Sequence, residues 1–476
     1  MQLRPYQNRV IADVMARYAA GAFGCLVVSP TGSGKTVIYA AITRELARAG
    51  QPVLIVEPTV ELVGQTVDKL RLFGIERVGI IAAGHGDGYN PDPTALVQVC
   101  TVQTWRSRPR SVLRTPRLVI FDEAHLAAAE SYRMVRERYP APSTKYLGFT
   151  ATPYRLDGAG FRDMADAIVA GPSITDLQRM GSLTAFRTRS IPLTEYSANM
   201  GTSREFARDK LAQAYMRREL VGHPIDHYLA SDKAGKPAIL FASSVKHGEE
   251  LTKIARMAGI AADLVHGDMP TVDRIAVLGT PDKPGRLAKG EIQMVVNYGV
   301  LTAGFDYPPL EYCGVVRATA SLSLWIQMAG RVLRPSAGKA DALIDDFGGN
   351  ARRHGNIGKS RIYTLDGKRP EAVDDPEGLG KDCPACYLVV ESTDTTCPSC
   401  GYQFAAKATA APRKPAKSDV VVHDGRLVEI DADAEQFALP IRLSAAAQKP
   451  AGDSRQRREA NRSAASAFAA AHGRQA

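Results

Sequence analysis

The stretch Ser29-Pro30-Thr31-Gly32-Ser33-Gly34-Lys35-Thr36 decides the fold of this 476-residue chain. An apolar run, Cys25-Leu26-Val27-Val28, precedes it and reads as a buried strand; the apolar residues from Val37 onward open a helix. A strand, a glycine-rich turn ending in Gly-Lys-Thr and a helix make a phosphate cradle. Gly32 and Gly34 let backbone N–H groups converge on one anion, and the helix N-terminus adds a favourable dipole. Thr31 and Ser33 complete the loop, Lys35 brings a point charge to the β and γ phosphates, and the Thr36 hydroxyl suits Mg²⁺. The pattern's first position is normally glycine and is Ser29 here. A chance glycine-rich turn is the plain alternative.

Upstream, Arg4-Pro5-Tyr6-Gln7 opens a helical pattern with Val10, Ile11, Val14 and Met15 on one face. Placed about 25 residues before a phosphate loop, this arrangement suits adenine. Gln7 offers a donor and an acceptor, and Tyr6 a stacking face. Downstream, strands are expected at 53–56, 96–100, 118–121 and 146–149, with a helix over 61–73. Alternating strands and helices imply a parallel, doubly wound α/β sheet, which binds ligands at the carboxyl ends of its strands. Asp122-Glu123-Ala124-His125 and Thr150-Ala151-Thr152-Pro153 stand at such ends. There Asp122 suits Mg²⁺, and Glu123 suits the positioning and deprotonation of water. Two acids after a strand otherwise make a solvated turn.

From 154 to 235 the pattern loosens, with helical runs near 174–180 and 206–220. A second strand–helix alternation begins at Lys236 and lacks a phosphate loop. It carries strands at 238–241, 292–297 and 313–316, a helix over 245–257, and then Gln327-Met328-Ala329-Gly330-Arg331-Val332-Leu333-Arg334. On a helix, Arg331 and Arg334 share one face. Their permanently charged forks suit a γ-phosphate, the alternative being a solvated face. Twenty residues separate Asp306 from Gln327, and a strand and a helix use them, so no strand-separating hairpin fits.

Cys383-Pro384-Ala385-Cys386 and Cys397-Pro398-Ser399-Cys400, ten residues apart, offer four thiolates to one tetrahedral, structural Zn²⁺; a redox or disulfide pair is the alternative. Cys25, Cys100 and Cys313 lie in apolar runs and are expected to be buried thiols. Past Phe404, Ala, Pro, Lys, Arg and Ser dominate, implying a mostly disordered tail. A strand pair is expected at 420–422 and 427–430. The segment 455–458 reads as a solvated helix, plain disorder or a helix formed on DNA. A formal charge of +10 favours a polyanion partner. No signal segment or long apolar run is visible, which favours a soluble, cytoplasmic protein.

In order, Arg4/Tyr6/Gln7, the phosphate loop, Pro58-Thr59-Val60-Glu61-Leu62, Thr101/Thr104, Asp122 to His125, Thr150 to Pro153 and Gln327 to Arg334 resemble the motifs of a superfamily 2 helicase. Leu343-Ile344-Asp345-Asp346-Phe347-Gly348-Gly349-Asn350 and Thr152-Pro153-Tyr154-Arg155-Leu156-Asp157-Gly158 resemble the RadD-like bacterial and phage branch, over residues 1–405. The resemblance implies two RecA-like lobes at 1–190 and 236–370, a hinge at 191–235, a zinc-ribbon-like module at 378–405 and a flexible tail at 406–476. It implies that ATP lies between the lobes, with Gly304 and Asp306 also facing the nucleotide. Pro58, Thr59, Thr101, Thr104, Ser243 and Thr302 would touch the nucleic-acid backbone, and Thr150 to Thr152 would couple the two sites. The expected activity is an ATP-dependent DNA helicase or translocase of repair, recombination or replication in a bacterial or phage-infected cell. Its DNA would be single-stranded or branched, and replication or repair proteins would dock on the zinc module or tail. An RNA helicase, a restriction translocase and a non-enzymatic nucleic-acid scaffold are the alternatives.

Overall fold

The computed structural model describes residues 2–82, 92–107, 114–127, 129–155, 159–190, 223–280, 283–302, 305–358, 361, 363–366, 381–383, 388–390, 394–397 and 400–404. The expected tail elements, the 206–220 helix, Gly304, Cys386 and 156–158 lie outside them.

The first sheet contains β1 (Gly24–Val28), β2 (Val53–Glu57), β3 (Val78–Ile81), β4 (Val97–Thr101), β5 (Leu118–Phe121), β6 (Lys145–Thr150) and β7 (Ala167–Ala170), in the order 3-4-2-5-6-1-7. Every pairing is parallel. β1 to β6 are buried along their length, as continuous apolar runs must be when helices cover both faces. The helix Pro5–Ala19 starts with proline at its first turn and buries Val10, Ile11, Val14 and Tyr18 at helical spacing. β3 and β7 were not anticipated, being short strands at or near the sheet edges.

The second sheet contains β8 (Ala185–Ser190), β9 (Ala238–Phe241), β10 (Ala262–His266), β13 (Met294–Tyr298), β14 (Tyr312–Val315) and β15 (Asp341–Asp346), in the order 10-13-9-14-15-8 and all parallel. β11 (Gly279–Thr280) and β12 (Lys283–Pro284) form a separate short ribbon. Alternate residues feed two cores. Ile239, Phe241, Val295, Cys313, Val315 and Ile344 face one side. Ala238, Leu240, Met294, Val296, Tyr312 and Leu343 face the other.

The expected lobe boundaries meet this topology in two places. β8 pairs with β15, and the helix Ile174–Arg179 packs into the second core, so the chain has crossed to the second sheet before residue 190. Ile225 and Tyr228 of the helix His223–Leu229 are buried in the second sheet's other core, within the segment expected as a hinge. Long-range pairing of a polar, arginine-bearing edge strand decided this. The expected absence of a hairpin holds, since only β14 and the start of the helix Leu322–Ala329 fall among the described residues between 306 and 327. Cys25, Cys100 and Cys313 are buried thiols, and burial pushes Cys25 up to about 12. Among the described residues no helix is long and apolar enough to cross a membrane.

The chain's two tryptophans report the two cores separately, Trp105 in the first and Trp325 in the second. Trp325→Ala removes a fully buried ring and its Nε1–H bond to the Gly355 carbonyl at 3.2 Å. It should destabilise the second core by about 3–5 kcal/mol. Urea unfolding followed by Trp105 emission and by circular dichroism checks this, and an unchanged circular-dichroism midpoint would refute it.

Candidate nucleotide-binding cleft

Sheet order brings the chemistry together. β5, β6 and β1 are neighbours, so their carboxyl ends set Asp122, Thr150 and the phosphate loop side by side. Ser29 donates its backbone N–H to the Thr150 carbonyl at 2.9 Å. Its backbone avoids the left-handed region: Glu123 is the one non-glycine with positive φ among the described residues. The position therefore does not require glycine. Room for the hydroxyl comes from Gly171, where a Cβ would lie 2.6 Å from Ser29 Oγ.

Gly34 caps the helix Lys35–Arg48 at φ 78°, and a Cβ there would meet Gln7 Nε2 at 2.6 Å. Tyr6 donates its hydroxyl to the Ser33 carbonyl at 2.8 Å, and Gln7 Nε2 reaches the same oxygen at 3.5 Å. The Arg4 N–H donates to Gln7 Oε1 at 2.9 Å. The expected adenine readers are thus tied to the loop. The hydroxyls of Ser29, Thr31 and Ser33 are buried without a hydrogen-bond partner among the described residues, as is the Lys35 ammonium, whose charge partner is Glu123 at 3.3 Å. Orphaned donors around a glycine loop fit a phosphate.

Glu123 takes the left-handed backbone at φ 41°, a conformation that costs on the order of 1–3 kcal/mol and persists only where its surroundings hold it. Its N–H donates to Asp122 Oδ1 at 2.9 Å, and its carboxylate lies 3.5 Å from His125 Nδ1. Burial would raise the Glu123 pKa, but the charges of Lys35 and Arg331 hold it below the usual range. Burial and then the Glu123 charge push Asp122 up to about 6. The Asp122 and Thr36 oxygens are a hard donor set of the kind Mg²⁺ takes.

The second lobe closes the cleft. Gln327 Nε2 lies 3.0 Å from His125 Nε2, and His125 Nδ1 lies 3.0 Å from Thr150 Oγ1. The Thr150 hydroxyl donates to the Thr152 carbonyl at 2.6 Å, so it accepts from the Nδ1–H of His125. His125 Nε2 then accepts from the Gln327 amide. Burial keeps this imidazole neutral, with a pKa pushed down to about 4. A Cβ on Gly330 would lie 3.4 Å from Thr31 Cβ, so the arginine-bearing segment abuts the loop.

That segment is not the continuous helix expected. The helix ends at Ala329, a tighter 3-10 turn spans Gly330–Val332, and Arg334 lies beyond it. Arg331 donates to the carbonyls of Phe305 (2.6 Å) and Thr302, and Arg334 pairs with Asp306. Burial lowers Arg331 to about 10, and Glu123 opposes that shift. Both arginines are held in the cleft by Thr302, Phe305 and Asp306 rather than by a shared helical face.

The hydroxyls expected on nucleic acid are mostly occupied within the fold. Thr59 caps the helix Val60–Leu72, and Pro58 precedes it at the end of β2. Thr101 Oγ1 bonds Thr104 Oγ1 at 2.9 Å, and both residues are buried. Ser243 Oγ lies 2.7 Å from His247 Nδ1, and Thr302 offers its carbonyl to Arg331. Tyr39, Glu57 and Thr66 were not anticipated. The Tyr39 hydroxyl lies 3.1 Å from Glu57 Oε1, 2.9 Å from Thr66 Oγ1 and 3.4 Å from Asp122 Oδ2. The available signal was an acid closing the apolar run Val53-Leu54-Ile55-Val56-Glu57.

Near the C-terminus, the sulfurs of Cys383, Cys397 and Cys400 lie within 4.8 Å of one another. Cys383 and Cys400 are 3.5 Å apart, well beyond a disulfide bond of about 2.05 Å.

Comparisons with known proteins follow the two sheets. Residues 1–155 match the family described as type III restriction enzyme, res subunit, and residues 221–336 match the helicase conserved C-terminal domain. A 51.5 kDa protein of Lactococcus phage (isolate 7-9) is 27% identical over 80% of this chain and 78% of its own length. The ATP-dependent DNA helicase uvsW of Enterobacteria phage T4 is 24% identical over 67% of this chain, which spans 64% of that protein. A solved fragment described as an HsdR subunit of a type I restriction enzyme from Vibrio vulnificus superposes with a TM-score of 0.53 at 19% identity. It covers 77% of this chain and 67% of its own, and shows the fold alone.

Gly34→Ala should cost about 1–2 kcal/mol in backbone strain alone and displace Gln7 from the loop. The expected result is at least about a tenfold loss of ATP affinity, read by nucleotide titration. Wild-type affinity would show that the loop tolerates a side chain there.

Proposed function

We propose, from the premise that this chain is a superfamily 2 helicase with a res-subunit N-terminal domain and a helicase C-terminal domain, that it moves along DNA in repair, recombination or replication, in the RadD-like branch. The chain is an ATP-dependent helicase, that is, a nucleic-acid-dependent ATPase. The observation that carries the reading is the composite cleft: Gln327 meets His125, the charge of Arg331 acts on Glu123, and the Arg334 side chain lies against Gly32 of the loop that carries Lys35.

In this reading Thr31 to Thr36 hold the phosphates of ATP, and Lys35 leaves Glu123 for the γ-phosphate. Thr36 and Asp122 would hold Mg²⁺, which when bound would neutralise phosphate charge. Glu123, kept ionised, takes the proton of the attacking water. Arg331 and Arg334 turn from Thr302, Phe305 and Asp306 to the phosphate. Tyr6, Gln7 and Arg4 sense the adenine end and hand its occupancy to Ser33; Gly304 and Asp306 complete the nucleotide side. Pro58, Thr59 and Thr302 are the strand contacts, with Thr101, Thr104 and Ser243 shaping their loops. Low sequence preference and steep salt dependence follow from backbone contact. The likeness to a phage DNA helicase supports DNA as the polymer.

Cys383, Cys386, Cys397 and Cys400 would hold a structural Zn²⁺. Leu388, Val390 and Phe404 pack with two of these thiols in a cluster too small to stand alone.

Three outcomes test the proposal. Glu123→Gln should lower turnover by about 10²–10⁴-fold while sparing ATP binding, measured by steady-state hydrolysis and nucleotide titration; retained turnover would remove Glu123 as the base. ATP hydrolysis without polymer, and with single-stranded DNA, duplex DNA and single-stranded RNA at two salt concentrations, should be highest with DNA and fall with salt. Stimulation by RNA alone would assign an RNA helicase, and binding without hydrolysis a scaffold. Purified protein should carry one zinc by elemental analysis, lost in Cys383→Ser; a metal-free chain would refute the zinc assignment.

A further inference from the structure

The run that carries Arg331 and Arg334 leaves its helix early. Carbonyls at the end of such a run have no helical N–H partner. Three carbonyls in this region share one donor. Lys339 Nζ donates to Val332 O at 2.7 Å, Arg334 O at 2.8 Å and Pro308 O at 3.1 Å. An ammonium has three N–H groups, so each finds one acceptor. The side chain can point back because residues 336–339 turn: Lys339 N–H donates to Ser336 O at 3.2 Å, and Gly338 takes φ 76°.

The two pieces joined are the two that matter for the arginines. Val332 and Arg334 belong to the arginine segment itself. Pro308 follows the loop that receives the side chains, where Thr302 and Phe305 accept from Arg331 and Asp306 pairs with Arg334. We infer that Lys339 is a positioning residue for hydrolysis, clamping the backbone of the Arg331–Arg334 segment onto Pro308 at the end of the 305–308 stretch so that both guanidiniums are presented to the nucleotide. This rests on the reading of Arg331 and Arg334 as phosphate-facing groups.

The clamp is sensitive to protonation. Burial pushes the Lys339 pKa down to about 8, with Glu311 opposing the shift and Lys233 adding to it. On the loop and segment packed against it, the charged groups are Asp306, Arg331 and Arg334. Lys339 is therefore charged well below pH 8 and loses its charge-assisted bonds as pH rises through about 8. Arginine would keep its charge but its planar fork matches three converging carbonyls less well.

The test compares the full wild-type chain with Lys339→Met, Lys339→Arg and Arg331→Ala. Hydrolysis of ATP is measured from pH 6.5 to about 9.5 with the most stimulating polymer, spanning the lysine titration. Binding of a non-hydrolysable ATP analogue and thermal unfolding are measured in parallel. Lys339→Met should lower kcat about 10- to 100-fold, with analogue affinity within about threefold and Tm within about 2 °C. Wild-type kcat should fall above about pH 8, and Lys339→Arg should keep part of the activity without that fall. Wild-type kcat and pH profile in Lys339→Met would overturn the inference, as would a joint loss of kcat, affinity and Tm, which marks a merely structural lysine. If Arg331→Ala abolishes turnover and Lys339→Met leaves kcat at the wild-type level, this inference alone fails. If Arg331→Ala leaves kcat intact, the reading of the arginines fails with it.

Discussion

A carboxylate closed between two lobes has to be compensated from both, and Glu123 is. Lys35 and His125 approach it from the first sheet, and the charge of Arg331 from the second. The left-handed backbone at this residue turns the carboxylate toward Lys35. Its position depends on the neighbouring acid, whose Oδ1 takes the Glu123 N–H. Separating the lobes would leave the anion with fewer partners and Gln327 without His125. The electrostatics of hydrolysis and the geometry of lobe closure are therefore one problem in this molecule.

Much of the second lobe is arranged to deliver the arginine segment to that point. Asp346 accepts from the N–H groups of Gly348 (3.1 Å) and Ala351 (2.7 Å) and from Asn350 Nδ2 (2.9 Å). Asn350 in turn bonds the Arg317 carbonyl and the Thr319 N–H, both at 2.9 Å. Ser321, two residues on, caps the helix Leu322–Ala329. The run Asp345-Asp346-Phe347-Gly348-Gly349-Asn350 is in the fold a latch on the approach to that helix. Lys339 fastens its far end.

The polar hydroxyls divide by what their own loops demand. Thr59, Thr101 and Ser243 each stand where a strand passes into a helix, and a helix start has N–H groups with no internal partner. Caps and local bonds claim these side chains. A threonine in a sequence motif does not reveal whether its hydroxyl faces a ligand or the next turn, because both uses favour the same residue at the same place. Glu57 shows the converse: a buried acid at a strand end went unread because its partners, Tyr39 and Thr66, come from separate helices.

What the sequence determined by itself was local in its physics. Strand–loop–helix order, the glycines of the phosphate loop, the acid pair after an apolar strand and the paired Cys-x-x-Cys knuckles are each specified within a few residues, where sterics and hydrogen bonding act along the chain. The placement of 185–190 in the second sheet, the early end of the arginine helix and the threefold clamp by Lys339 were decided only by tertiary structure. So was the pairing of His125 with Gln327, 202 residues away in sequence. Each depends on burial and on contacts between distant segments, and those exist only once both sheets have formed and closed on one another.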